Sequence, residues 1–236
     1  MSNSELVDFF SNPDYLEEIV HDDTIAIEDE RPGIYAAYQI LGTRQSQQDC
    51  VSAVKRDGML LAVVCDGMGG LSGGERASNA AVSRLLMDFE KADLSDPTGF
   101  LFQEAIQIDR EVYELEDGEQ RRLEAGTTMV AILIKDHQLH YVSVGDSRLY
   151  LMRGQEMVQV TEDQNYGMTL RRSLRNGEID EAEYRKEVQY AEALISYIGM
   201  GGLKVIGCSS DAPIQIIEGD RLLLCSDGLY KSLSQE

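Results

Sequence analysis

Residues 60–70 read LLAVVCDGMGG, a short apolar run that ends at Asp66-Gly67 and continues into a glycine-rich turn. Two further apolar runs also end in an Asp beside a Gly: Leu139–Val144 before Gly145-Asp146, and Leu222–Ser226 before Asp227-Gly228. Such runs predict buried strands. One Asp-Gly pair alone would indicate only a hairpin turn. Three predict carboxylates that converge at strand ends, where a cation such as Mg²⁺, Mn²⁺ or Ca²⁺ would offset their repulsion.

The composition limits the classes of partner. The chain has 236 residues, of which 43% are hydrophobic, so it can form a sizeable core. Its formal net charge is −21, from 42 acidic and 21 basic residues. Binding to nucleic acid or to an anionic membrane surface requires clustered Lys and Arg, so we expect neither partner.

The cysteines and the N-terminal residues bear on the compartment. The four cysteines form no CxxC pair, and Cys65 and Cys225 lie inside apolar runs, which favours a reducing compartment over a disulfide framework. The first ten residues, MSNSELVDFF, lack the regions of a signal peptide. No stretch approaches the roughly 20 apolar residues of a membrane span. We therefore expect a cytoplasmic protein.

The domain organisation follows from charge and from turn signals. Residues 1–33 are acidic, and we interpret them as an N-terminal extension that ends at Pro32-Gly33. The remaining residues, 34–236, are predicted to form one domain. Within it, residues 161–200 are polar, charged and helix-prone, which is typical of an insertion.

Hydrophobic periodicity predicts the elements of this domain. Strands are expected at 34–41, 50–54 and 59–65, helices at about 75–89 and 98–115, a four-strand meander over 127–160, and closing strands at 214–217 and 221–225. Asp57-Gly58 is a hairpin signal between the second and third strands. Runs of strands around paired helices indicate an α+β layered fold with antiparallel sheet.

The glycine-rich turn after Asp66 does not have a phosphate-loop pattern. It lacks GxxxxGK[ST], and it lacks GxGxxG with an acidic residue in place downstream. A preceding Asp would also repel a phosphate unless a metal lay between them. Glycines instead let the backbone approach an ion closely, so the carbonyl of Gly67 is a candidate ligand.

Five motifs in order resemble those of the metal-dependent Ser/Thr protein phosphatases, the type 2C or PPM family, in a bacterial-like form. They are Arg44 with Gln47-Gln48-Asp49, Asp66-Gly67-Met68-Gly69-Gly70 (DGxGG), Ala125-Gly126-Thr127-Thr128, Gly145-Asp146-Ser147-Arg148 (GDSR) and Ser226-Asp227-Gly228-Leu229 (SDGL). Each motif is weakly specific alone. The resemblance covers Ile34 to the C-terminus.

The resemblance implies a four-layer αββα sandwich, in which two antiparallel β-sheets are flanked by helix pairs. It also implies two core ions, Mn²⁺ or Mg²⁺, with a weak third. The implied roles are a bridging ligand for Asp66, a carbonyl ligand for Gly67, a metal ligand for Asp227, contact with metal-bound water for Asp49, phosphate binding for Arg44, and the third site for Asp146. Asp66, Asp227 and Asp49 would then be the catalytic group, because two ions clamp an in-line displacement and activate water.

Each role has a plainer structural alternative. Arg44 could be a surface salt-bridge partner, and Asp146 could only cap a turn. We interpret Arg148 as a structural ion-pair former. Thr127 and Thr128 are predicted to be buried strand residues.

Several features depart from the family pattern. Gln48 stands where many members have Glu, and Met68 where eukaryotic members have His. Lys231 stands where others place an Asp that serves the third metal, and it should weaken that site. No DN element follows SDGL, so the domain is expected to lack its C-terminal end and one metal ligand. We therefore expect lowered activity or weakened metal affinity. Residues 161–200 correspond to the family's flap.

The leading hypothesis is a phosphatase that hydrolyses phosphoserine or phosphothreonine in proteins through a metal-activated water. Its partners would be phosphorylated protein substrates and a cognate Ser/Thr kinase, which places it in signalling. The alternative is a catalytically weak or silent binding module, motivated by Gln48, Lys231 and the missing Asp. A generic metal-binding domain would leave the five ordered motifs unexplained.

Overall fold

The structure is a computed structural model that describes residues 27–28, 35–41, 46–69, 73–209 and 213–233. Most of the predicted extension over residues 1–33 therefore lies outside the described residues, as does Arg44. No helix of the described part combines the length and the apolar character needed to cross a membrane.

The strands are short except at the centre of the larger sheet. They are β1 (Ile27–Glu28), β2 (Ala36–Ala37), β3 (Asp49–Arg56), β4 (Met59–Gly69), β5 (Ala125–Thr127), β6 (Met129–Lys135), β7 (Gln138–Val144), β8 (Arg148–Arg153), β9 (Glu156–Gln159), β10 (Gly207–Cys208), β11 (Ile214–Gln215) and β12 (Arg221–Cys225). The helices are α1 (Gly73–Phe89), α2 (Pro97–Tyr113), α3 (Tyr166–Arg175), α4 (Glu181–Glu187) and α5 (Asp227–Tyr230), with a 3₁₀ turn at Val188–Tyr190.

The strands form two main antiparallel sheets. The larger has the order β10-β7-β6-β4-β3, with β11 also paired to β7 and β5 to β4, and the smaller has the order β12-β8-β9. The β3–β4 hairpin turns at Asp57 and Gly58, whose φ angles of 51° and 79° fit the predicted two-residue turn. Strand β2 pairs with β1.

The four strands predicted as one meander belong to two sheets, so that prediction was wrong. Strands β6 and β7 lie in the larger sheet, and β8 and β9 in the smaller. Only three residues, Gly145–Ser147, join β7 to β8. The glycine has a φ of 100°, a conformation that favours glycine and lets the chain leave one sheet for the other.

The core has two layers because the central strands are buried on both faces. On β6, Met129, Ala131 and Leu133 face the helices α1 and α2, where they join Leu85, Phe89, Leu101 and Ile108. The alternate residues Val130 and Ile132 face the smaller sheet and pack with Leu139 and Leu149. This two-sided burial explains the continuous apolar sequence of the strand. The arrangement confirms the predicted α+β sandwich of two antiparallel sheets, with the helix pair α1 and α2 packed on the larger sheet.

Helix boundaries follow local signals. Asp96 caps α2 by accepting a hydrogen bond from Gly99 N at 2.9 Å, and Pro97 occupies the first turn. The segment 161–200 contains α3 and α4, capped by Asn165 and Asp180. It returns to the sheet through an isolated bridge between Ile198 and Thr127.

Candidate metal centre

The β3–β4 pairing sets two carboxylates against each other. Asp49 lies directly opposite Asp66 in the register. Gly67 N donates to Gln48 O at 3.0 Å, so the neighbouring pair of residues 49 and 66 is not hydrogen-bonded. In such a pair the Cα atoms are about 4.5 Å apart and the side chains are closest. Like charges directly opposite are destabilising, so the fold accepts a cost at this position.

Asp66 is fixed from the other side of its strand by Thr128. Asp66 N donates to Thr128 Oγ1 at 2.9 Å, and Thr128 N donates to Asp66 O at 2.8 Å. The Thr128 hydroxyl also lies 2.7 Å from Ser147 Oγ. Thr127 and Thr128 are buried, as predicted. The positioning of Asp66 by Thr128 was not anticipated, because a strand pattern does not show which backbone groups a hydroxyl meets.

The third strand end brings Asp227. Ser226, which follows β12, donates from its hydroxyl to Asp49 Oδ2 at 3.0 Å. Asp227 opens α5, and its charge acts on Asp66 together with that of Asp49. The beginning of β3 and the ends of β4 and β12 therefore converge, and the convergence of β4 and β12 agrees with the prediction from their Asp-Gly ends.

The carboxylates of the cluster repel one another, which shifts the pKa of Asp66. Burial, followed by the charges of Asp49 and Asp227, raises the pKa of Asp66 from its ordinary value of 3.8 to about 8. The group thus holds a proton near neutral pH unless a cation compensates the neighbouring charges. Carboxylate oxygens suit hard divalent ions, so the donor set fits Mg²⁺ or Mn²⁺.

The carboxylates do not enclose an ion by themselves. Within the described ranges, no group of three or more His, Cys, Asp or Glu side chains is arranged to hold a metal ion. Ions at this position would take other ligands from backbone oxygen and from water. Mg²⁺ commonly keeps several waters in this way.

Gly67 occupies a position that only glycine can fill. A Cβ there would lie 2.2 Å from Gly74 O and 2.6 Å from Gln48 O, both backbone atoms that cannot move aside. The beginning of α1 consequently packs directly against the end of β4. This contact holds the backbone of Gly67 in place against α1. The carbonyl of Gly67 is the metal ligand that the sequence predicts.

Asp146 lies on the connection between the sheets and is 6% exposed. Tyr230 Oη lies 3.2 Å from Asp146 O and 3.3 Å from its Oδ2. Burial and then the charge of Asp227 raise the pKa of Asp146, and the charge of Lys231 opposes that rise. The residue faces the same cluster of groups as Asp227.

Arg148 is committed to structural contacts, which confirms its prediction as an ion-pair former. Its guanidinium donates to both carboxylate oxygens of Asp163, at 2.9 and 2.6 Å, and to Tyr150 Oη at 3.0 Å. It also stacks 3.5 Å from the centre of the Tyr230 ring. Arg148 therefore positions the tyrosine that contacts Asp146.

The remaining departures occupy the rim of the cluster. Gln48 accepts from Ser78 Oγ at 2.6 Å through its backbone oxygen, and its side-chain amide donates to Gly69 O at 3.4 Å. Met68 pairs with Gly126 of β5. Arg44, predicted to bind phosphate, falls in the stretch 42–45 outside the described residues.

The fold and the site together define a class of protein: an α+β sandwich with carboxylates gathered at the strand ends. Carboxylate oxygens are the ligands that hard divalent cations prefer. Residues 40–236 match the sequence profile of the family described as Protein phosphatase 2C. The chain therefore belongs to the protein phosphatase 2C family. This result explains why the five motifs occur together and in order.

Relatives and solved structures agree with this assignment. The chain is 32% identical over 210 residues to the serine/threonine protein phosphatase PstP of Mycobacterium tuberculosis, covering 86% of this chain and 37% of PstP. It is 34% identical over 183 residues to the serine/threonine phosphatase stp of Listeria monocytogenes, covering 74% and 68%. The solved catalytic domain of PstP in complex with two manganese ions superposes with a TM-score of 0.62 at 29% identity, covering 82% of this chain and 76% of that one. The chain spans little more than a third of the length of the mycobacterial relative.

Proposed function

We propose that this chain is a metal-dependent phosphatase that hydrolyses phosphoserine and phosphothreonine in proteins. The observation that carries the proposal is the convergence of Asp49, Asp66 and Asp227, all of them partly buried, at neighbouring strand ends. There, the pKa of Asp66 is raised to about 8 in the absence of a compensating cation. The relatives named serine/threonine phosphatases support the choice of substrate class.

The proposed cofactors are two Mn²⁺ or Mg²⁺ ions, a number supported by the manganese complex of PstP. Asp66, the Gly67 carbonyl and Asp227 would hold them, with Asp49 orienting bound water. Two such ions, when bound, supply an activated water and neutralise charge on the phosphoryl oxygens. Arg44 is proposed to bind the substrate phosphate, because a guanidinium matches phosphate oxygens bidentately.

The residues of the chain contribute positioning. Thr128 holds Asp66 through its backbone, and Ser226 holds Asp49 through its carboxylate. Thr128 lies between β5 and β6 and Ser226 directly follows β12, so each bond anchors a carboxylate residue to a neighbouring element before substrate arrives. Preorganised polar groups lower the cost of stabilising charge in a transition state.

Asp146 is proposed as a candidate for a third ion. Its burial and its position beside Asp227 support that assignment. Lys231 Nζ, however, lies 4.0 Å from Asp146 Oδ2, so the site competes with an internal cation.

We further propose phosphorylated proteins as substrates, a cognate Ser/Thr kinase as the opposing enzyme, and a cytoplasmic location. The substrate proposal draws on the names of the relatives. The location is supported by the four free cysteines, which suit a reducing compartment.

The test is Mn²⁺-dependent release of phosphate from phosphothreonine and phosphoserine peptides. The Asp66→Asn variant should lose activity, and a chelator should abolish the activity of the unmodified chain. Asp57→Asn is the matched control, because it makes the same chemical change at the exposed turn of the same hairpin, where Asn-Gly is favoured. If Asp66→Asn retained full activity while the chelator had no effect, the proposed function would be wrong.

A further inference from the structure

One ammonium group lies among the carboxylates of the candidate centre. Lys231 Nζ is 2.8 Å from Asp227 Oδ2, 2.8 Å from Glu192 Oε2 and 4.0 Å from Asp146 Oδ2. Two of these partners, Asp227 and Asp146, belong to the cluster at the strand ends. The third, Glu192, comes from the segment 161–200.

The backbone around Lys231 fixes where its side chain starts. Lys231 N donates to Asp227 O at 2.9 Å, so the two side chains lie one helical turn apart on the same face. The adjacent Tyr230 is held by Arg148 on its ring and by Asp146 at its hydroxyl. The helical turn from Asp227 to Lys231 therefore places the ammonium beside Asp227. The contacts of Tyr230 with Arg148 and Asp146 hold this turn against the centre.

Glu192 connects this ammonium to the segment 161–200. The residues on either side of it accept backbone hydrogen bonds from the beginning of α3, with Tyr166 N to Ala193 O at 2.7 Å and Gly167 N to Ala191 O at 2.9 Å. Glu192 itself is 70% exposed at its side chain and has Lys231 as an ion-pair partner. Lys231 thus links the carboxylate cluster to the start of α3.

An ammonium carries one positive charge and three donors, and it accepts no hydrogen bond. At 2.8 Å from Asp227 and 4.0 Å from Asp146 it supplies part of the charge that a divalent ion would supply. A second cation near Asp146 would be repelled by this ammonium. Repulsion between unit charges at about 4 Å corresponds to roughly a fivefold change in affinity in bulk water and to more at a partly buried site.

We propose that Lys231 is a specificity-determining and positioning residue, an internal cation that keeps an additional ion from Asp146 and ties the segment 161–200 to the metal centre. The proposal rests on the proposed function, since it assumes that Asp66 and Asp227 bind ions. It assigns the limit on ion number to a side chain of the chain itself. It also assigns Glu192 a role, although that residue lies outside the five family motifs.

The experiment is calorimetric titration of the metal-free chain with Mn²⁺, which reports stoichiometry and affinity independently of turnover. The unmodified chain should bind two ions. Lys231→Met should bind a further ion, or bind the same ions on the order of tenfold more tightly. Lys231→Arg, which keeps the charge, should behave as the unmodified chain. Lys91→Met, at an exposed turn just after α1, controls for the loss of one positive charge from the whole protein.

Glu192→Gln provides the opposite perturbation at an exposed position, where folding should be unaffected. Without the Glu192 charge, the Lys231 ammonium neutralises more of the negative charge of Asp227. Less negative charge is then left to attract Mn²⁺, so its binding should weaken by a factor of about two to five. Both Lys231→Met and Glu192→Gln should also speed tryptic cleavage within residues 161–200, because each removes the link from that segment to the centre.

The outcomes separate the two proposals. If the unmodified chain binds no Mn²⁺, the proposed function is wrong and the inference fails with it. If the unmodified chain binds Mn²⁺ but Lys231→Met changes neither stoichiometry, affinity nor cleavage, only the role of Lys231 is overturned. Opposite shifts in affinity for Lys231→Met and Glu192→Gln, with Lys231→Arg unchanged, support it.

Discussion

Thr128→Val removes the hydroxyl that positions Asp66 without changing the shape of the side chain. The valine leaves Asp66 N, which donates to Thr128 Oγ1 at 2.9 Å, without its acceptor, and it removes the 2.7 Å contact with Ser147 Oγ. Thr128 is 2% exposed and Ser147 is 3% exposed, so water does not readily replace either bond. The variant therefore leaves two polar groups unsatisfied in the interior.

The magnitude follows from these two groups. Each unsatisfied buried donor or acceptor costs about 1–3 kcal/mol. The hydroxyl of Ser147 can rotate toward another acceptor, whereas the backbone N–H of Asp66 is fixed. We therefore expect the free energy of unfolding to fall by about 2–4 kcal/mol. Because the same bond sets the direction of the Asp66 backbone, Mn²⁺ affinity should fall as well.

Thr161→Val is the matched control for this change. Its hydroxyl accepts from Leu149 N at 3.1 Å, the same kind of bond at a similarly buried threonine, but it lies beyond β9 of the smaller sheet. Urea denaturation should show that both variants lose stability, and Mn²⁺ titration should show that only Thr128→Val loses affinity. Equal Mn²⁺ affinity in the two variants would refute the assignment of Thr128 as the positioning residue of Asp66.

Two further predictions concern the support of the centre and the helix pair. Gly67→Ala would place a methyl group 2.2 Å from Gly74 O, so we expect the free energy of unfolding to fall by about 1–3 kcal/mol or more. Denaturant titration measures this change. Gly118→Ala is the control and should show no comparable loss, because a Cβ there meets no atom within 4 Å. Burial, followed by a hydrogen bond with Asp88, raises the pKa of Glu104 from its ordinary value of 4.5 to about 7. The folded state then binds the proton more tightly than the unfolded chain, so stability is full below about pH 4.5 and is lost as pH rises through about 7. Glu104→Gln should remove this loss and be more stable than the unmodified chain at pH 8 by about 1–3 kcal/mol, with no gain at pH 4.5; thermal unfolding at the two pH values checks it, and an equal gain at both would contradict it.

Sequence reasoning recovered the features that depend on local pattern. The continuously buried strand β6, the hairpin at Asp57-Gly58 and the helices within the helix-prone segment 161–200 all follow from periodicity and turn chemistry. It also predicted that Asp66, Asp146 and Asp227 approach each other, because each follows a buried strand beside a glycine, whereas Asp49 was recognised only through the family resemblance.

The wrong predictions concern features that are set by tertiary contacts and not by local sequence pattern. The four-strand meander fails at Gly145, since nothing in the alternation of β7 and β8 tells which sheet each joins. The strand predicted at 34–41 is reduced to Ala36–Ala37 in the described residues. Thr128 was recognised as buried but not as the acceptor for Asp66 N, because that bond joins residues 62 positions apart.

The charge balance of the site connects these observations. Asp49 and Asp66 face each other at the closest spacing that an antiparallel sheet allows, and Asp227 and Asp146 approach from the smaller sheet. Bound divalent ions would neutralise the negative charge of all these carboxylates. The Lys231 ammonium neutralises charge only on the side of Asp227. The chain thus has a permanent cation beside Asp227 and a deficit of positive charge around Asp66. An ion should accordingly bind first at Asp66, and Lys231 should set how many more can follow.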